Sequence, residues 1–172
     1  MNVKAIVYES ETGHTKRYAE MLGEKIDLPV YTIKEAKAEL EKGSSIIFMS
    51  WIAGGKLVKS SKIKRYNTAA VCAVGISPPS YSGEIFDEIS ESCGIERKNI
   101  FYMQGGVSIN KLHGIYKIMM NAMISAVEKA SEKDCKAKVN QEMASMLKGK
   151  KDFVDAKNLF GIISWYKKQK KS

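Results

Sequence analysis

Apolar and polar positions change period repeatedly along the chain, and each change marks an element. Val3, Ala5, Ile6 and Val7 make a compact apolar run that predicts a buried strand over 4–8. Tyr18, Ala19, Leu22 and Ile26 then recur at helical spacing and predict a helix over 15–26, with Gly23 a mild cost. A short second strand follows over 28–33, where Pro29 and the brevity of the run favour a sheet edge. The polar stretch 34–42 predicts a helix with Ala36 and Leu40 inward and Gly43 as its C-terminal cap. Ile46, Ile47, Phe48 and Met49 form a continuous apolar run bounded by turn residues, as expected of a central parallel strand, and 50–55 reads as a loop. A fourth strand over 69–74 is broken by Gly75 and the stretch 77–80; a helix covers 82–92, and a fifth strand over 99–103 stops at Gly105 and Gly106.

Beyond residue 106 the apolar positions thicken. Leu112, Ile115, Tyr116, Ile118, Met119, Met120, Met123, Ile124 and Val127 predict a long helix with a broad apolar face, followed by the highly charged stretch 128–138. The ordinary fate of such a stripe is core packing. A last helix over 153–168 is expected to cover the sheet through Phe153, Val154, Leu159, Phe160, Ile163 and Trp165, with residues 167–172 fraying. Strands alternating with helices give one α/β domain over 1–172, a parallel sheet with helices on both faces.

Between the first strand and the first helix stands the stretch Tyr8 to Thr15. Ser10, Thr12 and Thr15 surround Gly13, which lets the backbone bend so that N–H groups gather beside the unpaired amides and positive dipole end of the helix. Such a turn suits a phosphate. It lacks the Lys of a triphosphate loop and the three glycines of a dinucleotide turn, so hydroxyls and amides would hold a phosphomonoester. The alternative is that Ser10 or Thr12 caps the helix.

The order apolar strand, Ser10-Glu11-Thr12-Gly13-His14-Thr15, amphipathic helix resembles the phosphate loop of the flavodoxin family, Ser/Thr-x-Thr-Gly-x-Thr, at all its fixed positions. The resemblance implies a three-layer flavodoxin-like fold with a five-stranded parallel sheet in the order 2-1-3-4-5, and FMN as the cofactor. It implies binding residues on four loops: Ser10, Glu11, Thr12, Gly13, His14 and Thr15; Ser50, Trp51, Ile52, Ala53 and Gly54; Gly75, Ser77, Pro78 and Tyr81; and Gly105 and Gly106. In that family an aromatic residue after the third strand often stacks on the flavin ring, which Trp51 would do here, with Tyr81 as a second stacking residue. Structural readings stand beside these: Trp51 as a core cap and the 75–81 stretch as a turn only. His14 and His113 are far apart in sequence and make no metal or triad argument.

Composition alters one part of this picture. The net charge of +9 is unevenly spread: 1–50 is nearly balanced, 56–65 carries five basic residues and no acid, and 148–172 carries eight lysines against Asp152 and Asp155. Flavodoxins that shuttle electrons between soluble partners are typically acidic. A basic surface favours an acidic partner, an anionic substrate or an anionic membrane surface, with solvated lysines as the alternative. Cys72, Cys93 and Cys135 have no paired spacing and predict no disulfide framework. With no apolar run of spanning length, a cytoplasmic protein is expected, at most peripheral to the inner face of the membrane. No nucleic-acid partner is expected.

The layout after residue 106, a glycine stop, a Met-, Ile- and Tyr-rich basic helix and a charged segment, is similar to that of flavodoxin-like protoporphyrinogen oxidases that pass electrons to quinone. It implies a helical insertion over about 108–140 beside the flavin, and either a redox partner protein or a quinone- or porphyrin-type substrate. The expected function is therefore FMN-dependent electron transfer by an oxidoreductase, with a plain carrier or a flavin-free interaction module as rivals.

Overall fold

The structure, a computed structural model, describes residues 2–79, 83–106, 108–131 and 152–171. It is an α/β domain in three layers with a flavodoxin-like arrangement. The strands are β1 (Ala5–Tyr8), β2 (Val30–Thr32), β3 (Ser45–Ala53), β4 (Lys56–Leu57), β5 (Asn67–Gly75) and β6 (Ile100–Gln104), and the helices are α1 (His14–Ile26), α2 (Ile33–Glu39), α3 (Gly83–Cys93), α4 (Gly114–Ser131) and α5 (Phe160–Lys171). Five strands run parallel in the order β2-β1-β3-β5-β6, as the resemblance implies, and β4 pairs antiparallel with β3 off that path.

Alternation along the strands divides the core. Ile47 and Met49 of β3, with Ile6, Cys72 and Met103, pack against Tyr18 and Leu22 of α1 and against Leu159, Ile162 and Tyr166. Ile46 and Phe48, with Val7, Val71 and Ile100, pack on the opposite face against Ile33 and Ala36 of α2 and Ile89 of α3. Both faces of the central strands are covered, which is why they read as unbroken apolar runs. Cys72 is buried and Cys93 half-buried, both as free thiols; Cys135 lies outside the described residues.

Three boundaries differ from expectation. The sheet has six strands rather than five, because β3 continues through Trp51 and Ala53 where a loop was expected and turns back into β4. Gly54 and Gly55 both take positive φ, 57° and 78°, the geometry of a two-residue hairpin turn. Helix α2 ends at Glu39, not at residue 42: Leu40 is already extended, and the Gly43 N–H bonds to the Arg65 carbonyl. The last helix begins at Phe160, after a 3-10 turn over Ala156–Leu159, and Phe160, expected to cover the sheet, is 76% exposed. Leu159, Ile162 and Tyr166 supply the buried face instead, three and four residues apart.

The same register that builds the sheet gathers its carboxyl ends. Trp51 lies opposite Val74, and Gly75 opposite Gln104. The chain also returns to this edge late, through an antiparallel bridge between Gly106 and Asp152. Among the described residues, no helix is long and apolar enough to cross a membrane.

Candidate functional site

A cavity of about 380 Å³ lies at the carboxyl ends of β1, β3, β5 and β6. That volume falls within the range of small-ligand sites, roughly 300–1,000 Å³. The position is where strand order reverses, β2 leaving to one side of β1 and β3 to the other, the usual place for ligands in open parallel sheets. Its floor is the turn after β1, the β3–β4 hairpin, the stretch 74–78 and Tyr102.

In the turn, Gly13 takes φ 96° and stands at the N-terminal cap of α1, with no side chain capping the helix. Ser10 and Thr12 are therefore not its caps. The Ser10 hydroxyl accepts from the Gly13 N–H at 3.1 Å, closing the turn on itself, and Thr12 Oγ1 lies 2.9 Å from His14 Nδ1. The first-turn amides of α1, which have no partner inside the helix, are left at the loop. Thr15 is 2% exposed and lines the cavity, yet its hydroxyl makes no hydrogen bond to any described residue.

Behind this turn, side chains of β6 hold the loop after β5. The Tyr102 hydroxyl donates to the Ser77 carbonyl at 2.6 Å, and Gln104 Nε2 donates to the Ile76 carbonyl at 3.1 Å. Gly75 makes room for Tyr102, since a Cβ there would lie 2.8 Å from the ring carbon Cε2. Burial pushes the Tyr102 phenol up to about 12, so it stays protonated as a donor. The Gly105 N–H bonds to the Gly75 carbonyl at 2.8 Å, and a Cβ at Gly105 would come 2.7 Å from Val74 Cγ1.

The roof is α4. Tyr116, Met119, Met120 and Met123, three and four residues apart on one face of the helix, line the cavity from above together with Leu112, which just precedes it. Tyr116 meets Trp51 edge to face, ring centroids 4.7 Å apart at 71°. Trp51 Nε1 is buried with no acceptor among the described residues. On the outer side of α4, Ile115 and Ile118 are 66% and 70% exposed. The apolar stripe of this helix is thus divided between a cavity and solvent, where core packing was the ordinary expectation.

At the rim, Asp152 pairs with Arg17, and its Oδ1 stands 3.9 Å from His14 Nε2. Burial holds the His14 imidazole below the usual histidine range; Asp152 opposes this, and Arg17 and Lys111 add to it. Burial pushes the Asp152 carboxyl up, but the Val154 N–H and Arg17 outweigh it and hold the group below its ordinary range.

Of the expected residues, Ser10, Glu11, Thr12, His14, Thr15, Trp51, Ile52, Ala53, Gly54, Gly75, Ser77, Pro78 and Gly106 meet around the one cavity. Gly13 lines an adjoining hollow. Ser50 points elsewhere: it is buried, and its hydroxyl donates to the Val58 carbonyl at 2.8 Å to brace the hairpin. Gly105 serves the close approach of β5 and β6. Tyr81 lies outside the described residues, as does the part of the expected insertion beyond 131. His113 precedes α4 and is exposed. Sequence reasoning missed Tyr102, Tyr116, Ile85 and the three methionines. The i, i+4 spacing of Leu112 and Tyr116 carried the signal for the roof, but not its destination. No protein-family model matches this chain, and no curated protein matches it either. The flavodoxin likeness rests on the fold and on the turn after β1.

Proposed function

We propose that this protein binds FMN in the cavity beneath α4 and works as an oxidoreductase. The observation that carries the reading is the convergence of a hydroxyl-bearing turn and an aromatic wall on one cavity at the strand-order switch point. The donor set fits the cofactor. The Thr15 hydroxyl, without a partner among the described residues, stands beside the first-turn amides that α1 itself leaves unbonded, and among the described residues the buried Trp51 Nε1 lacks the acceptor that a ring oxygen or nitrogen would supply. When bound, flavin supplies the redox chemistry; this chain supplies binding, orientation and exclusion of water. An oxidoreductase is favoured over a plain carrier because α4 covers the cavity with Tyr116 and methionines, a polarisable apolar surface suited to a small flat substrate rather than to direct approach by a partner protein. A quinone- or porphyrin-type molecule has that character.

Thr15→Val tests the phosphate half cleanly. The hydroxyl it removes has no partner among the described residues, so the fold should be unharmed, while FMN should lose one hydrogen bond to a charged group, about 1–3 kcal/mol or roughly 5- to 150-fold in affinity. Riboflavin, without the phosphate, should bind the native protein more weakly and be indifferent to the change. A purified sample without flavin absorbance that takes up no FMN on titration would leave the flavin-free module as the surviving reading.

A further inference from the structure

We infer that Lys111, at the approach to α4, recognises the phosphate held by the turn after β1. The inference rests on the reading that this turn binds a phosphate monoester, and it adds a cationic side chain to the hydroxyls and amides of the turn.

The observation is a second hollow, about 340 Å³, that shares Ser10, Glu11 and Thr12 with the main cavity and is bounded by Lys16 of α1 and Lys111 of the 3-10 turn Ile109–Lys111. Its charges are unequal in availability. Glu9 is paired with Lys59 at 2.8 Å, and Lys16 leans toward Glu20 at 3.6 Å. Lys111 makes no ion pair among the described residues, so it is the cation free to meet an anion there. Its charge already reaches the turn, where it disfavours protonation of His14. A phosphate bound on the amides of α1 would face Lys111 without displacing an existing partner. Because Lys111 stands immediately before Leu112 and α4, the same contact would draw the roof toward the floor when a phosphorylated ligand binds.

The test is a titration of wild type, Lys111→Met and Lys111→Arg with FMN and with riboflavin, at low and at physiological ionic strength. Lys111→Met should weaken FMN about 5-fold at low salt and less at higher salt, since an exposed charge is screened, while leaving riboflavin unchanged. Lys111→Arg should keep most of the FMN affinity. Equal losses for FMN and riboflavin would show that Lys111 only positions α4, and unchanged FMN affinity would remove it from the site; either result overturns the inference. Inorganic phosphate, followed by phosphorus NMR, asks the same of the turn without flavin. If wild type binds no flavin, the proposed function fails, and the role of Lys111 then stands or falls on whether Lys111→Met weakens inorganic phosphate.

Discussion

The floor and the roof of the cavity stand in opposite relations to the core. Floor residues continue strands whose preceding positions are wholly buried: Trp51 follows Ile46 to Ser50, and Gly75 follows Ala69 to Val74. Their positions are fixed by packing on both sheet faces, so the floor is formed before any ligand arrives. Among its described side chains the roof has few that are buried, Leu112 and Ile124, and it presents Ile115 and Ile118 to solvent. Elements with few buried contacts open at low free-energy cost. The site thus joins a rigid half that sets geometry to a yielding half that admits a ligand.

The largest expected effect separates the two halves by stability. Ile47→Ala should cost about 2–5 kcal/mol by removing buried methyl groups from the central strand, whereas Ile118→Ala should fall within about 0.5 kcal/mol of wild type. Denaturant titrations of both variants measure the difference; comparable losses would mean that α4 belongs to the core after all. A smaller effect concerns the contact that joins the halves. Tyr116→Ala removes an aromatic pair worth about 0.5–1.5 kcal/mol, and under the proposed function it should weaken FMN and riboflavin alike by roughly 2- to 12-fold, with Tyr116→Phe close to wild type. Flavin fluorescence titration reads this directly, and a loss confined to FMN would place Tyr116 with the phosphate instead of the ring.

The smallest effect sharpens the rim. Because burial lowers the pKa of His14 in the fold, the unfolded chain takes up this proton first as pH falls below about 6.5. Stability from this group is intact above that value and declines as pH drops toward the folded one. Asp152, held low, loses its contribution only in more acid solution, below the ordinary carboxyl range. Unfolding midpoints at pH 7.5 and 5.5 should therefore differ in wild type and differ less in His14→Gln. An unchanged difference would assign the pH dependence to another group.

What could be read in advance follows the same division. Ile46 to Met49 announced a central strand because both its neighbours and both covering layers demand apolar side chains, and the turn after β1 was legible because its chemistry is local. Gly54 and Gly55 read as loop residues and draw Trp51 into the same loop; only pairing with Lys56 and Leu57 makes them a hairpin turn and Trp51 a strand residue. Apolarity alone points Phe160 inward, whereas the helical phase set by Leu159 and Ile162 turns it outward. The methionines of α4 formed a visible stripe, yet periodicity says that a face is covered, not by what. Tyr102 gave no sign, since a half-buried aromatic in a strand carries no mark of the loop it holds.

The bridge between Gly106 and Asp152 changes how the chain's length should be viewed. The backbone leaves the sheet at Gly106 and is paired there again at Asp152, so the stretch of chain between these two residues has its ends joined at one doorway. For a flexible loop each doubling of length adds only about 0.6 kcal/mol to the entropy of closure. An excursion with joined ends is therefore free to grow, shrink or be exchanged over generations while the strands beneath keep their register. The same sheet can present a bare cleft or a covered chamber according to what is spliced in at that doorway.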